Sequence, residues 1–350
     1  MSKRITTLLL AAALTLALGA CGQAVASDST GEPSGEELTL VLAAYTTPRE
    51  AFAQIIPLFQ AQWLEQTGQT VTFEESYQGS GAQSRAVVEG FEADIVALSL
   101  EADVIRIEEA GLITHDWKAV GAGGMMSDSV VAFAVRAGNP LGISDWADLA
   151  GESVEVLTPN PATSGGAMWN VLALYGAALR GHVEGVAADD PDAAFEFLKE
   201  VLTNVIVLDD SARDSITNYE QGVGNVAITY ENEVLVGQRA GADYELVVPS
   251  STILIENPVA VVDAYADEHG VRQAAEAFVE FLFTPQAQEI FARYGLRSVD
   301  PDVAAATADQ YPAVTDLFTI DFFGGWPQVR EDIFGETGVF NLAIQEVQGQ

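Results

Sequence analysis

Val154-Glu155-Val156-Leu157-Thr158-Pro159-Asn160-Pro161-Ala162-Thr163-Ser164-Gly165-Gly166-Ala167-Met168-Trp169-Asn170 runs from a strand through a turn into a helix. Val154 to Leu157 has strand character, Pro159 and Pro161 stop it, and Ala167 to Leu179 carries apolar residues at helical spacing. Ser164 is then the natural N-cap. Gly165 and Gly166 leave the first backbone N–H groups open to a ligand, the Ser164 hydroxyl adds a donor, and the helix dipole favours negative charge there. A serine cap with glycines chosen only for turn geometry is the better reading of one such turn taken alone.

Three further turns of the same kind occur. Ser76-Tyr77-Gln78-Gly79-Ser80-Gly81-Ala82-Gln83 follows the strand-like Thr70 to Phe73 and opens a helix from about Ala82 to Glu92. Val205 to Leu208 leads through Asp209-Asp210-Ser211-Ala212-Arg213 into a helix near Asp214 to Gln221. In Tyr45-Thr46-Thr47-Pro48 a threonine caps a helix that has Pro at its first position. Strands alternating with helices argue an α/β protein with open parallel sheets, where ligands sit beyond the carboxyl ends of the strands. Convergence of the four turns on one ligand is the expectation.

The apolar runs Ser129 to Arg136 and Ile253 to Val262 are longer, and each reads as a crossing between two lobes. Two crossings make a hinge. The expected organisation is a signal peptide over 1–20, a tether over 21–37, lobe I over 38–132 plus 258–350, and lobe II over 133–257. Val271 to Tyr294 reads as a helical pair broken at Thr284-Pro285.

At the start of the chain, Lys3 and Arg4 precede the apolar Ile5 to Leu18, too short for a membrane span of about 20 residues. Cys21, the one cysteine, follows Leu18-Gly19-Ala20 and resembles the lipid-modified residue of a bacterial lipobox. Cleavage after Ala20 or Ala26 as an ordinary signal peptide is the alternative. Residues 22–37 are mostly small and polar, the composition of a flexible tether.

The net charge of −36, from 51 acidic and 15 basic residues, excludes nucleic acid as a partner. An anion would have to be held by backbone dipoles in a local pocket rather than by a cationic surface. A serine-dependent hydrolase is the distant alternative. Against it, there is no Gly-x-Ser-x-Gly elbow, and His115, His182 and His269 lie in segments read as loop or surface. No cluster has metal-ligand spacing, so neither a metal nor a cofactor is expected.

Taken together, the chain resembles the periplasmic sulfate- and thiosulfate-binding proteins of bacterial ABC importers, from about Leu38 to Phe340. Ser164-Gly165-Gly166-Ala167-Met168-Trp169-Asn170 is similar to the family's Ser-Gly-Gly-Ala-Arg-Trp-Asn signature. Gly79-Ser80-Gly81, Arg136-Ala137-Gly138-Asn139-Pro140, Ser211-Ala212-Arg213, Tyr230-Glu231-Asn232-Glu233 and Phe323-Gly324-Gly325-Trp326 fall in the family's order. The resemblance implies a two-lobed, type II periplasmic-binding-protein fold, each lobe an open, mostly parallel sheet flanked by helices. It implies a non-enzymatic, lipid-anchored, monomeric receptor outside the cytoplasmic membrane, with a permease and its ATPase as partners.

By position, the resemblance implies that a dehydrated sulfate or thiosulfate is held by the N–H groups of Thr46, Ser80, Gly165, Gly166 and Ala212 and by the Ser164 hydroxyl. Tyr230 stands where the family usually has Trp, and Thr46 where it has Asp. An indole only donates, whereas a phenol donates or accepts, which loosens selection against protonated oxyanions. Sulfate needs only donors, and about six charge-assisted bonds at about 1.5–3 kcal/mol each support micromolar or tighter affinity. Phosphate or molybdate is the alternative ligand.

Overall fold

Leu40, Leu42, Ala43 and Ala44 are all fully buried, as an uninterrupted apolar run must be when both faces of its strand are covered. They belong to β1 (Glu37–Tyr45), which begins a computed structural model that describes residues 37–349. The signal segment, Cys21 and the tether as far as residue 36 lie outside the described residues, and Glu37, expected to end the tether, opens β1 instead because it pairs with Thr70 of β2. The chain continues through α1 (Arg49–Thr67), β2 (Thr70–Gln78), α2 (Ser80–Val88), β3 (Ile95–Ala97) and α3 (Glu101–Glu109). Next come β4 (Met125–Arg136), β5 (Val156–Pro159), α4 (Gly165–Leu179), α5 (Pro191–Thr203), β6 (Val205–Asp209), α6 (Ala212–Glu220), β7 (Val226–Tyr230), α7 (Glu231–Arg239) and β8 (Tyr244–Val247). The last part holds β9 (Ser251–Val261), α8 (Asp263–Glu268), α9 (Arg272–Leu282), α10 (Pro285–Arg293), α11 (Pro301–Thr307), β10 (Asp316–Phe318), α12 (Trp326–Asp332) and α13 (Val339–Gln348).

The strands follow the order β2-β1-β3-β9-β4-β7-β5-β6, with β10 on β9 and β8 on β4. Two parallel arrays, β2-β1-β3 and β7-β5-β6, are joined by the antiparallel pair β4 and β9. Each of these long strands changes neighbours along its length. β9 pairs with β10 over Ser251–Ile253, with β4 over Leu254–Pro258 and with β3 over Val259–Val261. β4 leaves β9 after Val130 and takes up β7 and β8. The two apolar runs expected to cross, Ser129 to Arg136 and Ile253 to Val262, fall on these two strands, β9 ending at Val261. Each array is parallel within itself, as expected, and the crossing strands add antiparallel pairings because they run opposite to their neighbours in either array.

Aromatic packing ties the C-terminal helices to the first array: Phe59 of α1 meets Phe278 of α9 with ring centroids 5.1 Å apart, and Phe52 meets Phe291 of α10 edge-on. The break between α9 and α10 falls at Thr284, whose hydroxyl caps α10 ahead of Pro285. α13 returns to the second array, where Glu346 pairs with Lys199 of α5 at 2.7 Å. The described residues form one compact unit.

Several expected boundaries move. β2 runs to Gln78 because it pairs with β1 over all nine of its residues. α2 starts at Ser80 and α4 at Gly165, so the serine and glycines of each turn are the first helical turn itself or its cap. β5 lies two residues later than its apolar run, ending on Pro159. Neither Thr46 nor Thr47 caps α1: the helix opens at Arg49 with Pro48 at the cap position and no side-chain cap bond. Arg136 closes the far end of β4 by donating to the carbonyls of Tyr219, Val223 and Gly224 at 2.6–3.2 Å.

Candidate anion-binding site

The turn after β5 is shaped by Asn160. Its Oδ1 accepts from the Ala162 N–H at 2.9 Å, and its carbonyl accepts from the Thr163 and Ser164 N–H groups at 3.0 and 2.9 Å. That folds the chain onto Ser164, the N-cap of α4, whose Oγ accepts from the Ala167 N–H at 3.4 Å. Asn170 anchors the helix by donating to Thr158 Oγ1 and the Ile228 carbonyl. Helical N–H groups need acceptors four residues back, so the first turn keeps donors free. Among the described residues, the N–H groups of Gly165 and Gly166 meet no acceptor.

Two other helix ends repeat this arrangement. Ser80 opens α2, and its Oγ is turned away from the helix end: it donates to Asp103 Oδ2 at 2.6 Å and accepts from the Ser99 N–H at 3.0 Å. Ser211 caps α6, accepting from the Asp214 N–H and donating to the Asp214 carboxylate. The N–H groups of Ser80, Ala212 and Thr46 have no acceptor among the described residues. Ser80, Ser164, Ala212 and Tyr230 are all buried.

Contacts between the arrays draw these ends together. The Ala82 N–H of α2 donates to the Thr163 carbonyl at 3.0 Å. A Cβ on Gly79 would stand 2.6 Å from that carbonyl oxygen and 2.7 Å from that of Asp210, so only glycine permits the approach. Gly165 lies against Ser99 and Leu100, and Gly166 against the Tyr230 ring. Ser99, in the turn after β3, is the hub. Its Oγ is 2.5 Å from the Tyr230 hydroxyl, and its carbonyl accepts from Trp169 Nε1 at 2.8 Å and Asn257 Nδ2 at 3.0 Å. Trp169 thus packs behind the turn, fully buried.

Arg213, beside Ala212, joins the ends of α1, α6 and α7. Its guanidinium holds Glu50 at 2.5 Å and Glu233 at 2.7 Å. Burial pushes Glu50 upward, but the hydrogen bond and charge of Arg213 prevail and hold its carboxyl below the usual range. Burial opposes the charge on Arg213, and its two carboxylates outweigh that and raise it further. Arg213 is therefore neutralised within the protein by its two carboxylates.

A cavity of about 480 Å³ opens beside these ends, lined by Thr46, Arg49, Tyr77, Gly79, Thr163 and Ser211 among others. Of the residues that the resemblance assigns to the ion, Thr46 alone lines it; Ser80, Ser164, Gly165, Gly166, Ala212 and Tyr230 are not part of its lining and are buried. Ser99 escaped the sequence reading because it sits in a short turn with no motif. The three histidines each contact a carboxylate outside this region: His115 on Asp263, His182 on Asp316, His269 on Asp94. Among the described residues no group of three His, Cys, Asp or Glu side chains could hold a metal ion.

Residues 40–297 match the family model described as bacterial extracellular solute-binding protein. The sulfate-binding protein of Synechocystis sp. is 45% identical over 314 residues, covering 89% of this chain and 88% of that one. The thiosulfate-binding protein of Escherichia coli is 36% identical over 306 residues, covering 85% and 89%. Among solved structures, the sulfate-binding protein SubI from Mycobacterium tuberculosis H37Rv superposes with a TM-score of 0.78 at 39% identity, covering 85% of this chain and 99% of that one. The chain belongs to the bacterial extracellular solute-binding protein family and shares its periplasmic-binding-protein fold with the sulfate- and thiosulfate-binding members.

Proposed function

We propose that the protein is the receptor of an ABC importer that binds sulfate or thiosulfate as a dehydrated dianion and delivers it to a membrane permease and its ATPase. The observation that carries this reading is the meeting of three helix N-termini whose first N–H groups lack acceptors among the described residues. The donors assigned to the ion are the N–H groups of Thr46, Ser80, Gly165, Gly166 and Ala212 and the Ser164 hydroxyl, with Tyr230 at the edge of the site. No cation pairs with the ion. Its charge is spread over helix ends, where each partial positive charge is fixed in place before binding.

The ion lies between lobe I (38–132 with 258–350) and lobe II (133–257), which hinge on β4 and β9, while α13 clasps the second lobe from behind. The receptor acts as a monomer outside the cytoplasmic membrane, held there by a lipid on Cys21, and catalyses no reaction. Calorimetric titration with sulfate and thiosulfate tests the assignment. Saturable binding that is lost in Gly165→Asp, whose side chain would enter the site with a negative charge, supports it. Binding of neither ion, or binding retained by the variant, refutes it.

A further inference from the structure

We propose that the paired hydroxyls of Ser99 and Tyr230 let this site take tetrahedral oxyanions that carry one proton, such as hydrogen phosphate, besides fully ionised ones. The inference rests on the anion-binding reading above and widens its ligand class. The two oxygens stand 2.5 Å apart, and each residue is 1% exposed, so neither hydroxyl turns to bulk water. Their mutual bond consumes one of the two hydroxyl hydrogens. One hydrogen remains, together with lone pairs on both oxygens.

Among the described residues neither oxygen has a second partner. These spare groups lie against the first turn of α4: a Cβ on Gly165 would stand 2.7 Å from Ser99 Oγ, and one on Gly166 3.3 Å from the Tyr230 hydroxyl. That is the turn whose N–H groups are assigned to the ion.

The nearby carboxylates and the Ser80 hydroxyl are committed elsewhere. Ser80 Oγ donates to Asp103, which also pairs with Arg106, and Glu233 is held by Arg213. The phenol of Tyr230 keeps its proton. Burial raises its pKa, the Ser99 hydrogen bond lowers it, and the charges of Glu233 and Asp103 raise it again.

For a protonated ion the bonds close a ring. The ligand O–H donates to one hydroxyl oxygen, that hydroxyl donates to its partner, and the partner donates to an ionised oxygen of the same ligand. For sulfate, the spare hydrogen donates and no lone pair is called on. A site made of N–H donors alone leaves the ligand hydrogen buried without an acceptor, which strongly disfavours such an ion.

Titrating the full chain calorimetrically with sulfate and with inorganic phosphate at one mildly alkaline pH compares two dianions that differ by a proton. Saturable phosphate binding is expected. In Ser99→Ala/Tyr230→Phe, phosphate affinity should fall at least about tenfold further than sulfate affinity, because it loses an acceptor as well as a donor. Tyr230→Phe alone, checked by thermal melting, gives a smaller shift of the same sign if the double variant does not fold. Sulfate binding without phosphate binding overturns the inference and leaves the anion-receptor reading standing, and so does an equal loss for both ions. Binding of neither ion brings down the reading and the inference together.

Discussion

Replacing Gly79 by alanine separates closure of the cleft from ligand contact, because Gly79 offers the ion no assigned donor. Its backbone, with φ −57 and ψ 136, suits alanine without strain, there is no side-chain cap bond to lose, and alanine is the poorer residue at a helix cap by about 0.5–1 kcal/mol. The added Cβ would stand 2.6 Å from the Thr163 carbonyl oxygen and 2.7 Å from that of Asp210. Both are main-chain atoms of the facing array and cannot rotate aside. Relief to ordinary contact requires the arrays to part by about 0.7 Å, which lengthens the 3.0 Å bond from the Ala82 N–H to the Thr163 carbonyl. Loss of that bond costs about 0.5–1.5 kcal/mol, and the parted helix ends weaken each N–H contact to the ion as well. A total of about 1.5–3 kcal/mol is expected, a sulfate dissociation constant about ten- to a hundredfold higher. Calorimetric titration measures it, alongside a melting curve without anion that should report a stability loss of about 1 kcal/mol or less. An unchanged dissociation constant would refute the reasoning, as would a loss of affinity matched by loss of the fold.

Ser164→Ala should weaken sulfate binding by about 1–3 kcal/mol, the range for a hydrogen bond to a charged group, read by the same titration. Arg213→Gln leaves Glu233, 1% exposed, without its cation and should destabilise the protein by about 3–5 kcal/mol in urea. Glu50→Gln removes the more exposed partner and should cost less than about 1 kcal/mol in the same denaturation. Asp128 faces Glu256 in the β4–β9 register, and burial first, then the Glu256 charge, push its carboxyl up to about 7 against the pull of Arg297. A carboxyl raised above its unfolded value binds its proton more tightly in the native state, so stability falls as pH rises from the ordinary carboxylate range to about 7. Asp128→Asn should therefore gain more melting temperature over the parent at about pH 8 than at about pH 5; an equal gain at both would mean that Asp128 titrates normally.

The alternation of strand and helix was legible because apolar runs such as Leu38 to Ala44 and Asp94 to Leu98 are bounded by turn residues. β2 was half hidden: Glu74 and Glu75 lie on an exposed stretch at the edge of the sheet, and only pairing with β1 extends the strand to Gln78. The Ser164 cap could be read because a serine, two glycines and an apolar helix stand in sequence. Ser99 could not, since it acquires its role from Trp169, Asn257 and Tyr230, which lie 70, 158 and 131 positions away. The cap of α1 was misplaced because the chain spends one more residue in the turn, so Pro48 takes the cap position expected for a threonine. The direction of the two joining strands met the same limit: apolar periodicity carries no strand direction, and β4 and β9 run opposite to the arrays that they join.

Trp169 gives the protein a built-in optical probe. Its indole N–H is bonded to the Ser99 carbonyl across the interface and its ring meets that of Trp326 edge-on, with centroids 4.8 Å apart. Any parting of the arrays strips the indole of that acceptor and admits water to its edge, so its emission should shift to longer wavelength when the cleft opens. Stopped-flow fluorescence of the unlabelled protein would then time each opening directly, and the release rate that a permease must meet could be read without attaching a dye.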